Sequence, residues 1–429
     1  MRKQGQARIY FLLVILAWYS SVHAQEEMQV NILNQELSIT RYRASGEYLI
    51  LWIAPSVGSH EREFKMSDEF VSRGIEVWHI DLAENLFLPK GTSAMRSLTG
   101  KYIAGLIAYA HKKTGKKIAL LARSYGAIPL LRGARLWQAN QKEKIDKNRI
   151  KRSQAGYLTG AILFSPELYS TIPALGRQPV YEPIIYATNI PIMLYQGALR
   201  GNRWRLNSVV KNLQEGGAQV YVKVQQGVTG LFYKKDSSPV TLKALKIFPD
   251  RIKAILSLLD RTKTPLFAQA LPALEKVKNN GLDSVLRPYR GNEKPLPINL
   301  MTIKGKRLIR KNYRGKVTIV NYWATWCPPC VKEIPSLNHL RKIMKGKKFE
   351  LISINYAQNK QQIKQFLDKV NVDFPVLLDE GGRVSSKWNV LVFPSTFVIG
   401  PDGKIKYGVN AAIHWDSPEV IKKINDLLQ

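Results

Sequence analysis

The sequence predicts an α/β chain with two units, a larger mostly parallel sheet followed by a smaller second α/β unit. Two observations support this prediction. Short apolar segments alternate with helical stretches over the first 262 residues, which is typical of a mostly parallel sheet with helices on both faces. The chain also has 429 residues, which leaves room for a second hydrophobic core.

The first unit is predicted from six apolar segments, each of strand length. They are 48–55, 75–82, 117–122, 160–165, 190–197 and 219–227. The stretch 263–295 contains several prolines and glycines and is predicted to be a connector. We therefore expect an amino-terminal segment at 1–24, a first domain at 25–262 and a second domain at 296–429.

The two cysteines of the chain both lie in one motif, WCPPC at Trp326 to Cys330. Secreted proteins that use cysteines for stability carry several of them in their loops, whereas one isolated C-x-x-C pair indicates redox chemistry. Half of a zinc site is the alternative. Such a site needs four ligands, and His339 and His414 are not at a recognisable ligand spacing. We therefore expect no metal.

The spacing of the pair predicts different roles for its two members. The run 317–326 has the pattern of a buried strand and bend, and helical periodicity follows, with Pro329 suited to a first turn. A cysteine at a helix N-terminus is ionised more readily, and the thiolate is the nucleophile in disulfide exchange. Cys327 is therefore expected to attack and Cys330, one turn along, to resolve the mixed disulfide.

The stretch NYWATWCPPCVKEIPSL resembles the thioredoxin superfamily and, within it, the TlpA/ResA-like branch of extracytoplasmic thiol-disulfide oxidoreductases. The resemblance covers residues 296–429 and implies a thioredoxin-like fold. It also implies a redox-active Cys327–Cys330 disulfide without another cofactor, reduction of client protein disulfides, and a membrane thiol donor of the DsbD or CcdA type. The direction of electron flow cannot be read from the motif, because it depends on the reduction potential.

The same resemblance implies further site residues. Pro394 matches the cis-proline of the superfamily, and Trp326, Phe393 and Pro394 are expected to contact the client, which pairs as an added strand with the backbone of Phe393. Glu333 follows Cys330 by three residues, so its carboxylate could exchange a proton with the resolving thiol. The alternatives are an ordinary trans turn proline and an exposed helix glutamate.

In the first domain, the segment KIALLARSYGAIPLLRGARL resembles the nucleophile elbow of α/β-hydrolases, with Ala122 in place of the first glycine and Ser124 at the tip. The resemblance covers most of residues 40–262 and places the segment 54–60 where that family has its oxyanion loop.

The histidine of such a triad is not found at its expected place. It should follow the last strand, yet no histidine lies between Ser124 and His339. His60 and His79 lie upstream, and a serine without a base is a weak nucleophile. We therefore expect a hydrolase-like domain that has lost catalysis. The alternatives are a serine hydrolase or esterase with an accessory redox domain, and a non-catalytic envelope-binding protein.

The amino end predicts the compartment. Basic residues precede an apolar run from Ile9 to Tyr19, and small residues at Val22 and Ala24 precede Gln25, which is the pattern of a cleavable signal peptide. We therefore expect a periplasmic or otherwise secreted protein. An uncleaved membrane anchor is the alternative, since hydrophobic length separates the two imperfectly.

The formal net charge of the chain is +33 at pH 7. Such an excess favours anionic partners, which for a secreted protein are envelope surfaces or acidic clients rather than nucleic acid. The alternative is a solvated lysine-rich surface that binds nothing in particular.

Overall fold

The computed structural model of the protein describes residues 25–151, 155–233, 237–273 and 285–429. The predicted signal peptide at 1–24 therefore lies outside the described residues. Across the described ranges, no helix has the length and apolar character needed to cross a membrane.

The first unit contains an eight-stranded sheet with helices between its strands. Its strands are β1 (Gln25–Ile32), β2 (Gln35–Tyr42), β3 (Tyr48–Ile53), β4 (Glu76–Ile80), β5 (Lys117–Arg123), β6 (Leu158–Phe164), β7 (Ile192–Gly197) and β8 (Val220–Gln225). Its helices are α1 (Glu61–Val71), α2 (Leu82–Asn85), α3 (Thr92–Ser97), α4 (Lys101–Thr114), α5 (Ala127–Asp146), α6 (Leu206–Glu215) and α7 (Pro239–Thr262).

The strands of this sheet lie in the order β1-β2-β4-β3-β5-β6-β7-β8. Strands β3 to β8 run parallel, and the hairpin of β1 and β2 joins them antiparallel. The six predicted segments are β3 to β8, so the predicted mostly parallel sheet is confirmed. The hairpin was not predicted, because buried residues alternate with polar ones there and no continuous apolar run forms.

Both faces of this sheet are covered by helices, which is why its central strands are apolar throughout. Every residue of β3, β4 and β6 is buried. Helices α4 and α5 pack on one face with residues such as Ile107 and Leu130, and α1 and α7 pack on the other with Phe70 and Leu256. The sheet is therefore a rigid platform whose strand ends can position side chains.

The second unit contains a six-stranded sheet and four helices among the described residues. Its strands are β9 (Arg287–Pro288), β12 (Val317–Trp323), β13 (Phe349–Tyr356), β14 (Val376–Asp379), β15 (Ser395–Ile399) and β16 (Ile405–Val409), and β10 (Leu300–Met301) and β11 (Arg307–Leu308) form a separate short hairpin. Its helices are α8 (Pro328–Ile343), α9 (Lys360–Leu367), α10 (Arg383–Lys387) and α11 (Pro418–Asp426).

The six strands lie in the order β14-β13-β12-β15-β16-β9. Strand β12 pairs parallel with β13 and antiparallel with β15, so it lies in the middle of the sheet and is fully buried. The predicted second α/β unit is therefore confirmed. The loops at the carboxyl ends of β12 and β13 lie side by side at one edge, where the cysteine motif follows.

The predicted connector, 263–295, is attached to a sheet unit on each side. The carbonyl oxygens of Pro265 and Phe267 accept hydrogen bonds from Gln138 (2.5 Å) and Asn189 (2.8 Å) of the first unit. At the other end, Leu286 is buried in the second core and β9 pairs with β16. A strand as short as β9 has no periodicity to detect, so the prolines and glycines of this stretch indicated only a connector.

Candidate active site

The cysteine pair lies at the start of α8. Cys327 is the residue that precedes this helix, Cys330 lies in its first turn, and the two are joined as a disulfide with their Cα atoms 5.3 Å apart. Pro328 and Pro329 occupy the first turn, where a missing N–H costs no helical hydrogen bond. The amide of Cys330 donates to Sγ of Cys327 at 3.3 Å. The helix N-terminus and this amide therefore stabilise a thiolate on Cys327 once the disulfide is reduced.

The turn before the helix is held by an amide side chain that the sequence did not single out. Gln358, just after β13, accepts from the backbone N–H of Thr325 (2.8 Å) and donates to its hydroxyl (2.7 Å). Asn355 donates to the same Gln358 oxygen at 3.1 Å. Only the parallel pairing of β12 and β13 brings these residues together, so spacing along the chain gave no signal for them.

Glu333 lies in α8, one turn after Cys330, and is buried, with 2% of its surface exposed. One carboxylate oxygen accepts from Nδ2 of Asn321 at 2.8 Å, and the other accepts from Nε1 of Trp415 at 3.1 Å. Burial raises the pKa of Glu333 to about 7, and the hydrogen bonds from Trp415 and Asn321 oppose that rise. A carboxyl group with this pKa can take up or release a proton near neutral pH.

The loop that precedes β15 completes the surface beside the cysteines. The Phe393–Pro394 peptide bond is cis, and Pro394 is buried. The ring of Phe393 lies edge-on to the indole of Trp326, with centroids 5.8 Å apart, and 4.8 Å from the ring of Tyr356. The structure thus brings Trp326, Phe393 and Pro394 together, and Cys327 is only 4% exposed behind them.

Ser124 lies at a sharp turn between β5 and α5, with a backbone φ of 52°. A β-carbon at Gly126, two residues on, would lie 3.2 Å from the carbonyl oxygen of Ala54, so the loop 54–60 packs closely against this turn. A strained serine between a central strand and a helix is the geometry of a nucleophile elbow.

The partner of Ser124 is a carboxylate. Its hydroxyl donates to Oε2 of Glu167 at 3.0 Å, and Arg200 donates to Oε1 of the same carboxylate at 3.0 Å. Glu167 follows β6. A small cavity of about 30 Å³ adjoins Ser124, Arg200 and Tyr233.

The two upstream histidines contact other groups. A ring nitrogen of His60 is hydrogen-bonded to the carbonyl oxygen of Phe232, and Nε2 of His79 lies 2.6 Å from the hydroxyl of Ser67. Burial lowers the pKa of His79 to about 3, so this ring is neutral. Within the described part of the chain, neither histidine is hydrogen-bonded to Ser124, and no group of three or more His, Cys, Asp or Glu residues could hold a metal ion.

A helix-capping C-x-x-C disulfide, a buried glutamate beneath it and a cis-proline beside it together describe a thioredoxin-like redox site. Residues 293–408 match the family model described as AhpC/TSA family. The prediction of a thioredoxin-like fold for the C-terminal part is confirmed.

The matching relatives are thiol-disulfide oxidoreductases. Residues of this chain are 35% identical over 103 positions to "Thiol-disulfide oxidoreductase ResA" of Bacillus thuringiensis subsp. konkukian, covering 24% of this chain and 60% of the relative. The ResA protein of Bacillus subtilis is 36% identical over 101 positions, covering 24% of this chain and 56% of the relative. The chain thus spans little more than half the length of these relatives. The predicted resemblance of the C-terminal third to ResA-type proteins is confirmed.

Two solved structures are similar to the same part of the chain. A thiol:disulfide interchange protein of the thioredoxin family from Chlorobium tepidum has 25% identity and a TM-score of 0.28, covering 32% of this chain and 97% of its own. StoA from Bacillus subtilis has 22% identity and a TM-score of 0.27, covering 32% of this chain and 98% of its own.

The raised pKa of Glu333 predicts a pH dependence of stability. The folded protein holds a proton there up to about pH 7, whereas the ordinary value is 4.5. The contribution to the free energy of unfolding is therefore fully present below about pH 4.5 and is lost as pH rises through 7. In E333Q this loss should disappear. Urea unfolding of the oxidised protein at pH values across this interval measures the free energy of unfolding. E380Q, which changes an exposed glutamate, is the control. Parallel curves for wild type and E333Q would contradict the assignment.

Proposed function

We propose that this chain is an extracytoplasmic thiol-disulfide oxidoreductase that reduces disulfides of client proteins. The observation that supports this most directly is the Cys327–Cys330 disulfide at the N-terminus of α8, above the buried Glu333. The match of residues 293–408 to the AhpC/TSA family model and the similarity of the chain to ResA-type proteins agree with it. The redox-active disulfide is the only redox group that the proposal requires.

In the proposed reaction the reduced protein supplies two electrons. With Cys327 as a thiolate it also supplies one proton, from Cys330, and solvent supplies the other. The Cys327 thiolate attacks one sulfur of the client disulfide, the client S–S bond breaks, and the first client sulfur leaves as a thiolate that takes a proton from solvent. Cys330 then loses its proton, with Glu333 as acceptor, and attacks Sγ of Cys327. The Cys327–Cys330 bond forms, and the second client sulfur leaves as a thiolate that is protonated in turn.

The surface beside Cys327 is the proposed client site. Trp326, Phe393 and Pro394 form an aromatic and apolar border around the disulfide, and an extended client segment would pair with the backbone of Phe393 as an added strand. Each turnover leaves the protein oxidised. A membrane thiol donor of the DsbD or CcdA type, as the resemblance implies, would return it to the dithiol form.

The proposed location is the periplasm or another extracytoplasmic compartment. Supporting it are the signal-peptide pattern at 1–24 and the confinement of both cysteines to one redox motif. The charge of +33 would also favour contact with anionic envelope surfaces, with no role for nucleic acid.

The first unit is proposed to bind rather than to cleave. Ser124 has a strained elbow conformation and a carboxylate at 3.0 Å, which favours a serine hydrolase as the second candidate function. Three features weigh against it. The Glu167 carboxylate is also paired with Arg200, the histidines contact other groups, and the adjoining cavity is small, at about 30 Å³.

The assigned roles of the cysteines predict which variant accumulates an intermediate. C330A should retain the attacking thiol but lack the resolving one, so it should accumulate mixed disulfides with a disulfide-containing probe protein or client. Non-reducing electrophoresis followed by mass spectrometry of the adduct measures this. C327A is the matched control and should form little adduct. Adducts found mainly in C327A would reverse the roles, and a wild type that does not reduce insulin would refute the proposed activity.

Proton transfer by Glu333 predicts a change in the pH–rate profile. In the wild type the rate of the resolving step should rise with pH as Glu333 loses its proton near pH 7. E333Q should lose that inflection and react more slowly above pH 7, by a factor on the order of 10² if general base catalysis is typical. Stopped-flow measurement from pH 5 to 9 tests this, with E380Q as control. Superimposable profiles would leave Glu333 without a role in proton transfer.

A binding rather than hydrolytic first unit predicts an inert Ser124. A fluorophosphonate probe should leave Ser124 unlabelled, and S124A should hydrolyse short-chain p-nitrophenyl esters at the wild-type rate, because the serine lacks a base that is free to accept its proton. Intact-mass spectrometry and ester hydrolysis assays measure these two outcomes. Stoichiometric labelling at Ser124 together with loss of esterase activity in S124A would support the hydrolase alternative instead.

A further inference from the structure

The loops at the carboxyl ends of three neighbouring strands of the first sheet, β6, β7 and β8, contact the second unit. The loop after β6 supplies two backbone acceptors. The carbonyl oxygen of Gly176 accepts from Nδ2 of Asn389 at 3.1 Å, and that of Pro173 accepts from Nδ2 of Asn410 at 3.0 Å. Leu175, between them, packs against the apolar core of the second unit.

The loop after β7 lies against the cis-proline loop. The carbonyl oxygen of Arg200 accepts from the hydroxyl of Tyr356 at 2.9 Å. A β-carbon at Gly201 would lie 3.1 Å from Cε2 of Phe393, so the backbone of the first unit touches this ring directly. The guanidinium of Arg205 donates to Oδ1 of Asn389.

The loop after β8 reaches the residue next to the attacking cysteine. The hydroxyl of Tyr233 donates to the backbone carbonyl oxygen of Trp326 at 2.8 Å. The two aromatic rings also meet edge to face, with centroids 5.9 Å apart and an interplanar angle of 83°. Tyr233 and Arg200 both border the small cavity at Ser124, so the elbow side of the first unit faces the redox site.

The loops after β7 and β8 therefore lie on the surface beside the disulfide, and the loop after β6 anchors the first unit to the second. The loops after β7 and β8 contact Trp326, Phe393 and Tyr356, and Cys327 is only 4% exposed in this arrangement. A disulfide fixed in a broad, rigid protein surface would collide with the first unit before its sulfur reached Cys327. A small disulfide, or one in a narrow extended segment, needs much less room.

We infer that the loops after β7 and β8, anchored by the loop after β6, form a wall of the client site and determine which disulfides reach Cys327. This inference rests on the proposed reductase function and adds its substrate class, namely disulfides that are small or lie in extended, flexible segments. Tyr233 and the Arg200–Gly201 backbone are then specificity-determining groups supplied by the hydrolase-like unit.

Asn389 is a suitable site for weakening the contact between the two units without changing the residues of the wall itself. Its side chain bonds to Gly176, to Arg205 and, at 3.4 Å, to Gln178. Its φ of 54° suits glycine, so N389G removes these hydrogen bonds with little backbone strain. Asn148 is exposed and has the same φ of 54°, which makes N148G a matched control.

The test compares two substrates of different bulk. Pre-reduced full-length protein reacts with 2-hydroxyethyl disulfide as the small probe and with folded oxidised ribonuclease A as the bulky one. Loss of hydrogen bonds across the contact should raise the rate with the protein disulfides about tenfold in N389G. The rate with the small probe should stay within about twofold of the wild type, because no group at the disulfide has changed. N148G should match the wild type with both.

The ratio of the two rates decides the outcome. An unchanged ratio in N389G would overturn the inference, even if both substrates reacted faster. Y233A, which removes the contact with Trp326, should shift the ratio in the same direction and serves if N389G fails to fold. A wild type that reduces neither substrate would instead refute the proposed function, so the two failures are distinguishable.

Discussion

The turn between β12 and α8 is the constraint on which the redox site depends. Strand β12 is buried in the middle of its sheet, and the chain leaves it directly into a helix that begins at Pro328. That start places Cys327 at the positive end of the helix. It also directs Glu333 down into the core, one turn below Cys330. Gln358, just after the neighbouring strand, fixes the same turn, so the two sulfurs and the carboxylate share one rigid frame.

Glu333 shows how a carboxyl group can be buried with neutral hydrogen-bond donors instead of a cationic partner. Its side-chain hydrogen-bond donors, Asn321 and Trp415, are neutral, so they satisfy the oxygens but only partly offset the cost of burying a charge. The pKa therefore rises rather than falls. Lysine or arginine in place of Asn321 would stabilise the ionised form and remove the neutral-pH titration that makes this group suitable for proton exchange.

The sequence predicted what is encoded locally. The six parallel strands are continuous runs of buried apolar residues, and the cysteines, Glu333 and Pro394 lie in motifs with fixed spacing. Long-range partners were missed. Trp415 lies 82 residues from Glu333 along the chain, and Glu167 lies 43 residues from Ser124. Nothing in their neighbouring residues indicates a partner, because each contact arises only when separate strands are brought to the same edge of a sheet.

Arg200 belongs to both halves of the molecule at once. Its guanidinium holds the carboxylate that contacts Ser124, and its main-chain carbonyl oxygen holds the phenol beside Phe393. One residue therefore supplies a side-chain contact to the elbow and a backbone contact to the redox surface. Displacement of its guanidinium by a competing anion would act on the same short stretch of backbone that carries the second bond. Arg200 is therefore a direct covalent connection between the elbow and the redox surface.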